Sequence, residues 1–164
     1  EEAGLPVIFD GSAVRDAGYG LYDEPGLPYL EECLGRFPRL KFFGHGPPFW
    51  AEMGVLEKPG DRASYPRYPV RREGVVPKLF RQYPNLLGDL SAGSGYNALA
   101  RDPDHAVRFL VEFQDRLFFG TDICFADQDV PLVPFLKDLV ERGRINETVF
   151  RKIARENAAA LLGL

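Results

Sequence analysis

The strongest constraint on the fold is an alternation of short apolar runs with segments of helical periodicity. Four runs rich in branched and aromatic residues predict buried strands, at residues 5–9, 40–43, 86–90 and 117–119. Segments with apolar residues at helical spacing follow them, and the last begins after the N-cap residue Asn146 and runs to Leu162. Because a β-α-β unit joins parallel strands by a right-handed crossover, the pattern predicts a parallel α/β sheet.

The number of predicted strands limits the possible architectures. Four strands in 164 residues fit half of a (β/α)8 barrel or a small open α/β sheet, since a complete barrel has eight strands in about 250 residues. The first apolar run begins a few residues after Glu1, which predicts that more chain precedes it. We therefore interpret residues 1–164 as a single partial domain.

Composition and charge argue against several classes of protein. The net charge is -4, and an acidic chain is a poor match to nucleic acid, whose phosphates attract clustered Lys and Arg. No apolar run approaches the roughly 20 residues that a membrane-spanning helix needs. With only two cysteines, Cys33 and Cys124, a disulfide framework is not expected, and we predict a reducing, cytoplasmic location.

Polar residues follow all four predicted strands at the point where each strand ends. They are Asp10, His45, Ser91 and Asp122. Taken singly, an aspartate in such a place is usually a turn or helix-capping residue. Because the carboxyl ends of parallel strands form one edge, where α/β proteins bind their ligands, the four residues together predict a functional site.

The residue types at this edge suit metal-assisted chemistry. Imidazole and carboxylate groups bind zinc and similar divalent ions, and a bound ion lowers the pKa of its water towards about 7. A catalytic ion needs about three protein ligands, however, and the chain has only two histidines and no His-x-His pair. One of the two, His105, lies in an amphipathic segment, where we expect it to face solvent.

Nucleophilic serine catalysis is the competing chemistry. The small-residue segment 91–95 contains Gly93-Ser94-Gly95 but lacks the spacing of a Gly-x-Ser-x-Gly turn. It also lacks the glycine pattern of a dinucleotide-binding or phosphate-binding loop. The sequence therefore disfavours a serine hydrolase.

Five segments of the chain resemble the amidohydrolase-related family, in the branch that includes aminocarboxymuconate-semialdehyde decarboxylase and related aromatic-acid decarboxylases. They occur in family order and span nearly the whole chain, at residues 5–10, 37–46, 83–91, 117–122 and 153–163. The Gly-Thr-Asp at residues 120–122 and the Arg-Glu-Asn-Ala at residues 155–158, taken together, are fairly specific.

The resemblance implies a (β/α)8 barrel that binds one divalent ion, often zinc, with this chain forming strands five to eight. It implies that Asp122 binds the metal and helps to activate water, and that His45 acts as a base or a metal ligand. Asp10 stands where the family usually has a metal-binding histidine, and this departure changes the charge around the ion. The His-x-His pair that follows strand one in the family is absent from the chain.

The function that the resemblance implies is metal-dependent hydrolysis or non-oxidative decarboxylation of a small organic substrate. His45 and Asp122 are the expected catalytic residues, and Asp10 is the third expected metal ligand. Ser91 is expected to bind the substrate. Phe49 and Trp50 either form the wall of an apolar or aromatic substrate site or pack their loop onto the barrel, and the sequence favours neither role.

Two alternatives from other classes stay open. One is a non-catalytic pseudoenzyme that serves as an interaction module, which Asp10 and the missing His-x-His pair favour. The other is an inactive fragment that lacks the N-terminal metal-binding half. The open strand edges of a half barrel also invite pairing with another chain, so we expect the isolated chain to self-associate as a homo-oligomer or an aggregate.

Overall fold

A parallel sheet organises the structure, a computed structural model that describes residues 2–16 and 18–164. Its strands are β1 (Val7–Ser12), β2 (Leu21–Tyr22), β3 (Phe42–His45), β4 (Leu86–Asp89) and β5 (Leu117–Phe118). Their order in the sheet is β2-β1-β3-β4-β5, and every pair is parallel. The predicted α/β class with a parallel sheet is confirmed, and the strand order is consistent with part of a (β/α)8 barrel.

Strand β2 is an addition to the predicted strands. It pairs with the end of β1, with Leu21 beside Gly11 and Tyr22 beside Ser12. The residue before it, Gly20, brings the chain against β1 with a φ of +76°, and an added Cβ there would lie 3.1 Å from the Gly11 carbonyl oxygen. A glycine is the residue that tolerates both this φ and this close approach.

Helices fill most of the connections between strands. They are α1 (Pro28–Arg36), α2 (Pro47–Ala51), α3 (Val75–Gln82), α4 (Ala92–Ala100), α5 (Pro103–Glu112), α6 (Leu132–Glu141), α7 (Glu147–Arg151) and α8 (Asn157–Leu162), with a 3-10 turn at Pro59–Ala63 and a π-helical turn at Lys152–Glu156. Proline occupies an early position in α1, α2 and α5, where its missing N–H leaves no bond unmade. The predicted N-cap is confirmed, because the Asn146 side chain accepts a 2.9 Å hydrogen bond from the Val149 N–H.

One face of the sheet is closed by aromatic side chains that lie on glycines. Phe49 of α2 packs directly over Gly44, where an added Cβ would overlap its ring. Trp50 and Phe80 approach Gly88 in the same way, at 3.0 and 3.1 Å from an added Cβ. These rings belong to the main hydrophobic cluster, which includes residues from every helix from α1 to α7. The close contact requires glycine on the strands at these two positions.

The opposite face of the sheet is much less covered. Because side chains alternate along a strand, Phe43, Leu87 and Phe118 point away from the main cluster. They form a small second cluster with Ala158 and Leu161 of α8. On the neighbouring strand β1, Ile8 is 63% exposed.

Two asparagine side chains fasten the connections to the sheet. Asn85, just before β4, donates to the carbonyl oxygens of Leu34, Phe37 and Leu40. Asn157, in the family-like tail, donates to the carbonyl oxygens of Gln114 and Leu117 at 2.7 and 2.8 Å. The tail therefore has a structural role at β5.

Among the described residues, no helix has the length and hydrophobicity needed to cross a membrane.

The expectation that His105 faces solvent is wrong. His105 is 3% exposed, and its ring stacks on that of Phe109. Residues 105, 106, 109 and 110 share one face of α5, and that face packs into the core. The first turn of α5 belongs to the same buried face as the rest of the helix, so a histidine placed there is buried too.

Candidate active site

A histidine–aspartate pair marks the carboxyl edge of the sheet. Phe43 on β3 is in register with Leu87 on β4. Two residues further along each strand, on the same less covered face, are His45 and Asp89, which are therefore neighbours. Their side chains are joined at 3.0 Å between His45 Nδ1 and Asp89 Oδ2. Each is mostly buried, with 17% and 13% of the side chain exposed. The pair is therefore shielded from water while it still reaches the surface.

Ser91 holds Asp89 in place. Its Oγ donates to Asp89 Oδ2 at 2.8 Å, and its backbone N–H donates to Asp89 Oδ1 at 2.9 Å. The indole N–H of Trp50 donates to the Asp89 carbonyl oxygen at 2.9 Å. Each carboxylate oxygen of Asp89 thus has at least one donor, which fixes the orientation of the histidine that it contacts.

The same geometry argues against a serine triad. Ser91 Oγ lies 3.4 Å from His45 Nδ1, the nitrogen that also contacts Asp89. In a serine triad the histidine takes the serine proton on one ring nitrogen and contacts the carboxylate through the other. Here both partners meet one nitrogen, so His45 is not placed to activate Ser91.

The charges in this cluster act on the pKa of both members of the pair. The hydrogen bond to Asp89 raises the pKa of His45 above its ordinary value, against an opposing effect of burial, and the carboxylates of Asp89, Asp10 and Asp122 raise it further. Burial acts to raise the pKa of Asp89, but hydrogen bonds from His45 and Ser91 outweigh it and hold that pKa below its usual range. The two shifts agree in favouring an ionised pair.

Asp10 brings an unpaired carboxylate oxygen to the same edge. Asp10 is the register partner of His45 across β1 and β3. Its Oδ1 is buried and has no hydrogen-bond partner among the residues that the structure describes. The carboxylate fits there because Gly46 has no side chain, since an added Cβ on Gly46 would overlap Oδ1. The charge of Asp10, and then a hydrogen bond between the side chains, raises the pKa of the exposed Tyr19 phenol.

Asp122 is more exposed to solvent than its expected place at the shared edge of the sheet suggested. It is exposed and has a φ of +54°, the left-handed conformation of a turn. Its carbonyl oxygen accepts a 2.8 Å hydrogen bond from the Gln128 side chain, which holds this turn together. The Asp122 carboxylate still contributes to the raised pKa of His45. Its link to the site is therefore electrostatic in this structure.

The donors at this edge fit part of a metal centre. A histidine whose Nδ1 is held by a carboxylate, with a buried carboxylate oxygen left unpaired beside it, is the arrangement that orients ligands around an ion. Within residues 2–16 and 18–164, however, no three His, Cys, Asp or Glu side chains are close enough to hold an ion. Asp10, His45 and Asp122 therefore do not come together as three ligands in the described part of the chain.

An open cavity of about 360 Å³ adjoins Asp89 on the less covered face of the sheet. It is lined by Pro6, Ile8, Phe43, Asp89 and Phe118. Its walls are apolar apart from Asp89. In a complete (β/α)8 barrel, side chains of the other strands fill this face of the sheet.

The structure corrects the role considered for Phe49 and Trp50 as walls of the substrate site. They are 0% and 1% exposed and lie on the helix-covered face of the sheet, opposite the cavity. A side chain with no exposed surface cannot contact a substrate at the strand ends, so the packing alternative describes them. Trp50 is linked to the site by its hydrogen bond to the Asp89 carbonyl oxygen.

Sequence reasoning missed Asp89 and Tyr19. Asp89 stands two residues after Leu87, so period-two alternation along β4 places it on the inward face beside His45. That signal was present in the sequence and pointed to Asp89 as well as to Ser91. No sequence pattern points to Tyr19, which approaches Asp10 through a glycine-rich loop.

Comparison with known proteins assigns the family. Neither the curated proteins nor the solved structures contain a match to the chain. A family model described as amidohydrolase matches residues 1–164, which is the whole sequence. With a parallel sheet that carries a His–Asp pair at its carboxyl edge, the chain belongs to the amidohydrolase family.

Proposed function

We propose that this chain forms the catalytic edge of a metal-dependent hydrolase or non-oxidative decarboxylase that acts on a small organic substrate. The observation that carries the proposal is the 3.0 Å contact between His45 Nδ1 and Asp89 Oδ2, beside the unpaired Oδ1 of Asp10. In the finer form of the proposal, the chain supplies strands five to eight of a (β/α)8 barrel as one partial domain, residues 1–164, of the decarboxylase-like branch.

His45 is the proton-transfer residue in this proposal. When Asp89 accepts a hydrogen bond from Nδ1–H, the lone pair is on Nε2, which then faces the reacting atoms. The raised pKa of His45 makes the ring a stronger base, and it accepts a proton when Nε2 is unprotonated. Asp89 does not touch the substrate in this scheme; it fixes the tautomer and the orientation of the ring.

The metal follows from the family, whose members usually bind divalent metals. The residues that would hold it are Asp10 and Asp122, with His45 as a third ligand through Nε2 in the alternative in which the ring is not the proton-transfer residue; zinc suits imidazole and carboxylate donors. A bound ion would supply Lewis-acid activation of water or of a carbonyl group. The two aspartates give the set more negative charge than a histidine-rich site has. We propose that Asp122 turns inward from its exposed position to complete it.

The proposed substrate is a small organic molecule, aromatic or carboxylic, and this class follows from the resemblance to the decarboxylase-like branch. Ser91 Oγ lies beside the His–Asp pair, and we propose that it contacts a polar group of the substrate. A cytoplasmic location is supported by the free thiols of Cys33 and Cys124.

A non-catalytic protein is the second candidate, either a pseudoenzyme or an inactive fragment. The observation that favours it is that no three metal-binding side chains cluster within the described part of the chain. The exposed Ile8 on the less covered sheet face also suits contact with another chain, so a homo-oligomer belongs to this reading as well.

Zinc titration separates the two candidates. We expect the metal-free full-length protein to bind zinc, with His45→Ala weakening the affinity at least about tenfold, as loss of a supporting residue alone commonly does. His105→Asn is the matched control, because it removes the other histidine far from the site and should leave zinc affinity unchanged. Absence of zinc binding, or equal loss in both variants, would support the non-catalytic candidate.

Turnover of small aromatic acids and esters provides the second test. Asp122→Asn keeps the size and turn-forming ability of the side chain but removes its charge. We expect it to fold normally and to lower kcat by about a hundredfold or more, the low end for loss of acid–base catalysis. Near-normal turnover in both Asp122→Asn and His45→Ala would show that the catalytic roles are misassigned.

A further inference from the structure

One polar contact joins the helix-covered face of the sheet to the His–Asp pair. Trp50 of α2 is buried, and its indole N–H donates a 2.9 Å hydrogen bond to the carbonyl oxygen of Asp89. Asp89 Oδ2 in turn contacts His45 Nδ1 at 3.0 Å. A buried indole N–H needs an acceptor. Here the acceptor belongs to the residue that contacts the proposed proton-transfer group.

The Asp89 carbonyl group is available to the indole because β3 ends early. The Phe42 N–H donates to the Asn85 carbonyl oxygen at 2.9 Å. Four residues further along both strands, the same parallel ladder would bring the Gly46 N–H to the Asp89 carbonyl oxygen. Gly46 instead leaves the strand with a φ of +85° and begins the turn into α2. The indole N–H therefore takes the place of a backbone donor.

The main chain and the side chain of Asp89 are held by different donors. Its carbonyl oxygen accepts from Trp50, and the N–H of the same peptide group, which belongs to Leu90, donates to the Phe118 carbonyl oxygen at 2.9 Å. The N–H and Oγ of Ser91 donate to the two carboxylate oxygens. Ser91 therefore fixes how the carboxylate is turned, whereas the contacts of the peptide group fix where the residue stands.

His45 and Trp50 hold Asp89 from one short segment of chain. His45 ends β3, and the backbone N–H of Trp50 donates to the Gly46 carbonyl oxygen at 3.1 Å in the first turn of α2. The segment thus meets the carboxylate of Asp89 through an imidazole and its main chain through an indole. Two linked contacts leave Asp89 less freedom than either contact alone. We propose that Trp50 is a positioning residue, which keeps the Asp89 carboxylate within hydrogen-bonding distance of His45.

This role deepens the proposed function and rests on it for the part that the pair plays in proton transfer. Trp50 itself does not reach the strand ends, since its side chain is buried in the main hydrophobic cluster. Its indole acts on His45 through Asp89. Removal of the N–H with the ring kept should therefore loosen the pair while the core stays filled.

The chain has a single tryptophan, so this one N–H can be removed with almost no change of shape. In 3-benzothienylalanine a sulfur atom stands where indole has its N–H, and 5-fluorotryptophan keeps the N–H and is the control for the replacement itself. NMR of the imidazole ring measures how fast the Nδ1 proton of His45 exchanges with water. We expect benzothienylalanine to make this exchange about tenfold faster, as the loss of one net hydrogen bond would. The fluorinated protein should keep the wild-type rate.

A packing control separates positioning from a general loosening of the core. Phe80 lies on Gly88 beside Trp50, at 3.1 and 3.0 Å from an added Cβ. Phe80→Leu disturbs the same aromatic layer without removing the donor to Asp89, so it should lower Tm and leave the exchange of the His45 proton nearly unchanged. Trp50→Phe removes the N–H by ordinary mutagenesis and should speed the exchange if the benzothienylalanine protein does not fold.

Two results would overturn the positioning role of Trp50. One is a wild-type exchange rate for the His45 proton once the indole N–H is gone, and the other is an equal acceleration in Phe80→Leu. In either case Trp50 is a packing residue. The measurement needs neither metal nor substrate, so failure of the zinc and turnover tests would count against the proposed function without deciding this one.

Discussion

The same five strands form both faces of the sheet, but one face is tightly packed and the other carries the polar residues of the candidate site. On the helix-covered face, Phe49 and Trp50 lie on strand glycines with no space between them. On the other face, Phe43, Leu87 and Phe118 form a thin apolar layer, and Asp10, His45 and Asp89 stand above it at the strand ends. A step of one residue along a strand thus separates packing from chemistry, and tolerance to substitution should change at each step.

The two histidines show the same contrast on a single residue type. His45, on the less covered face, has its pKa raised by its hydrogen bond to Asp89. His105, on the helix-covered side, has its pKa lowered by burial, and its Nδ1 has no hydrogen-bond partner in the described part of the chain. The first environment favours the charged ring and the second favours the neutral ring.

The largest expected effect on stability comes from removing a buried aromatic side chain from the helix-covered face. Trp50→Ala should lower the free energy of unfolding by about 3–5 kcal/mol, because it leaves a cavity between Gly88 and Phe49 and removes the hydrogen bond to the Asp89 carbonyl oxygen. Ile8→Ala on the other face is the matched control and should cost less than about 1 kcal/mol, since Ile8 is 63% exposed. Urea unfolding measures both. Similar losses in the two variants would contradict the contrast between the faces.

A smaller effect is expected at the glycine under Asp10. Gly46→Ala should destabilise the fold by about 1–3 kcal/mol, because the new methyl group overlaps Asp10 Oδ1 and the residue has a φ of +85°. Gly60→Ala is the control, as nothing lies within 4 Å of an added Cβ there and its φ is ordinary. Differential scanning calorimetry should give a clear drop in Tm for the first and almost none for the second.

The third prediction concerns the proton equilibrium of the site. Asp89→Asn removes the charge and weakens the hydrogen bond that raise the pKa of His45, so this pKa should fall while that of His105 stays unchanged. NMR titration of the two imidazole rings measures both in one experiment. In the wild-type protein, the stabilisation from His45 is complete below its unfolded pKa of about 6.5 and is lost as the pH rises through the folded pKa. Asp89→Asn should flatten that loss, and an unchanged His45 titration would contradict the pairing.

The strands and their shared edge were predictable because both depend on local pattern. The apolar runs and the polar residues that end them place Asp10, His45 and Ser91 together without any knowledge of tertiary contacts. The N-cap at Asn146 was predictable for the same reason, since capping depends on the nearest turn of backbone. The ligand roles of Asp10, His45 and Asp122 stay predictions.

The features that sequence reasoning missed depend on contacts distant in the chain. Phe49 and Trp50 follow two prolines in an aromatic-rich segment, and only their fit onto Gly44 and Gly88 shows that they are buried. Strand β2 exists because Gly20 lets the loop return to β1. Asp122 follows its strand by several residues, and the turn held by Gln128 carries its side chain outward.

The smallest expected effect on stability comes from replacing His105. The direction in which this effect changes with pH is the sharpest test of the contrast between the two histidines. The ring contacts Phe109 and lies 3.8 Å from Glu73 through Nε2, while burial outweighs the nearby carboxylates of Glu73 and Asp102 and lowers its pKa. The unfolded chain therefore binds a proton at a higher pH than the folded chain does. The contribution of His105 to stability is complete above about pH 6.5 and is lost as the pH falls towards its folded pKa.

His105→Phe keeps the ring contact and removes a buried unpaired nitrogen, so it should change stability by less than about 1 kcal/mol at pH 7.5. Below pH 6.5 it should become more stable relative to wild type, whereas His45→Asn should lose stability relative to wild type as the pH falls from 7.5 to about 6.5. Urea unfolding at pH 7.5, 6.5 and 5.5 gives both slopes, and slopes of the same sign would show that the two histidines do not occupy opposite environments.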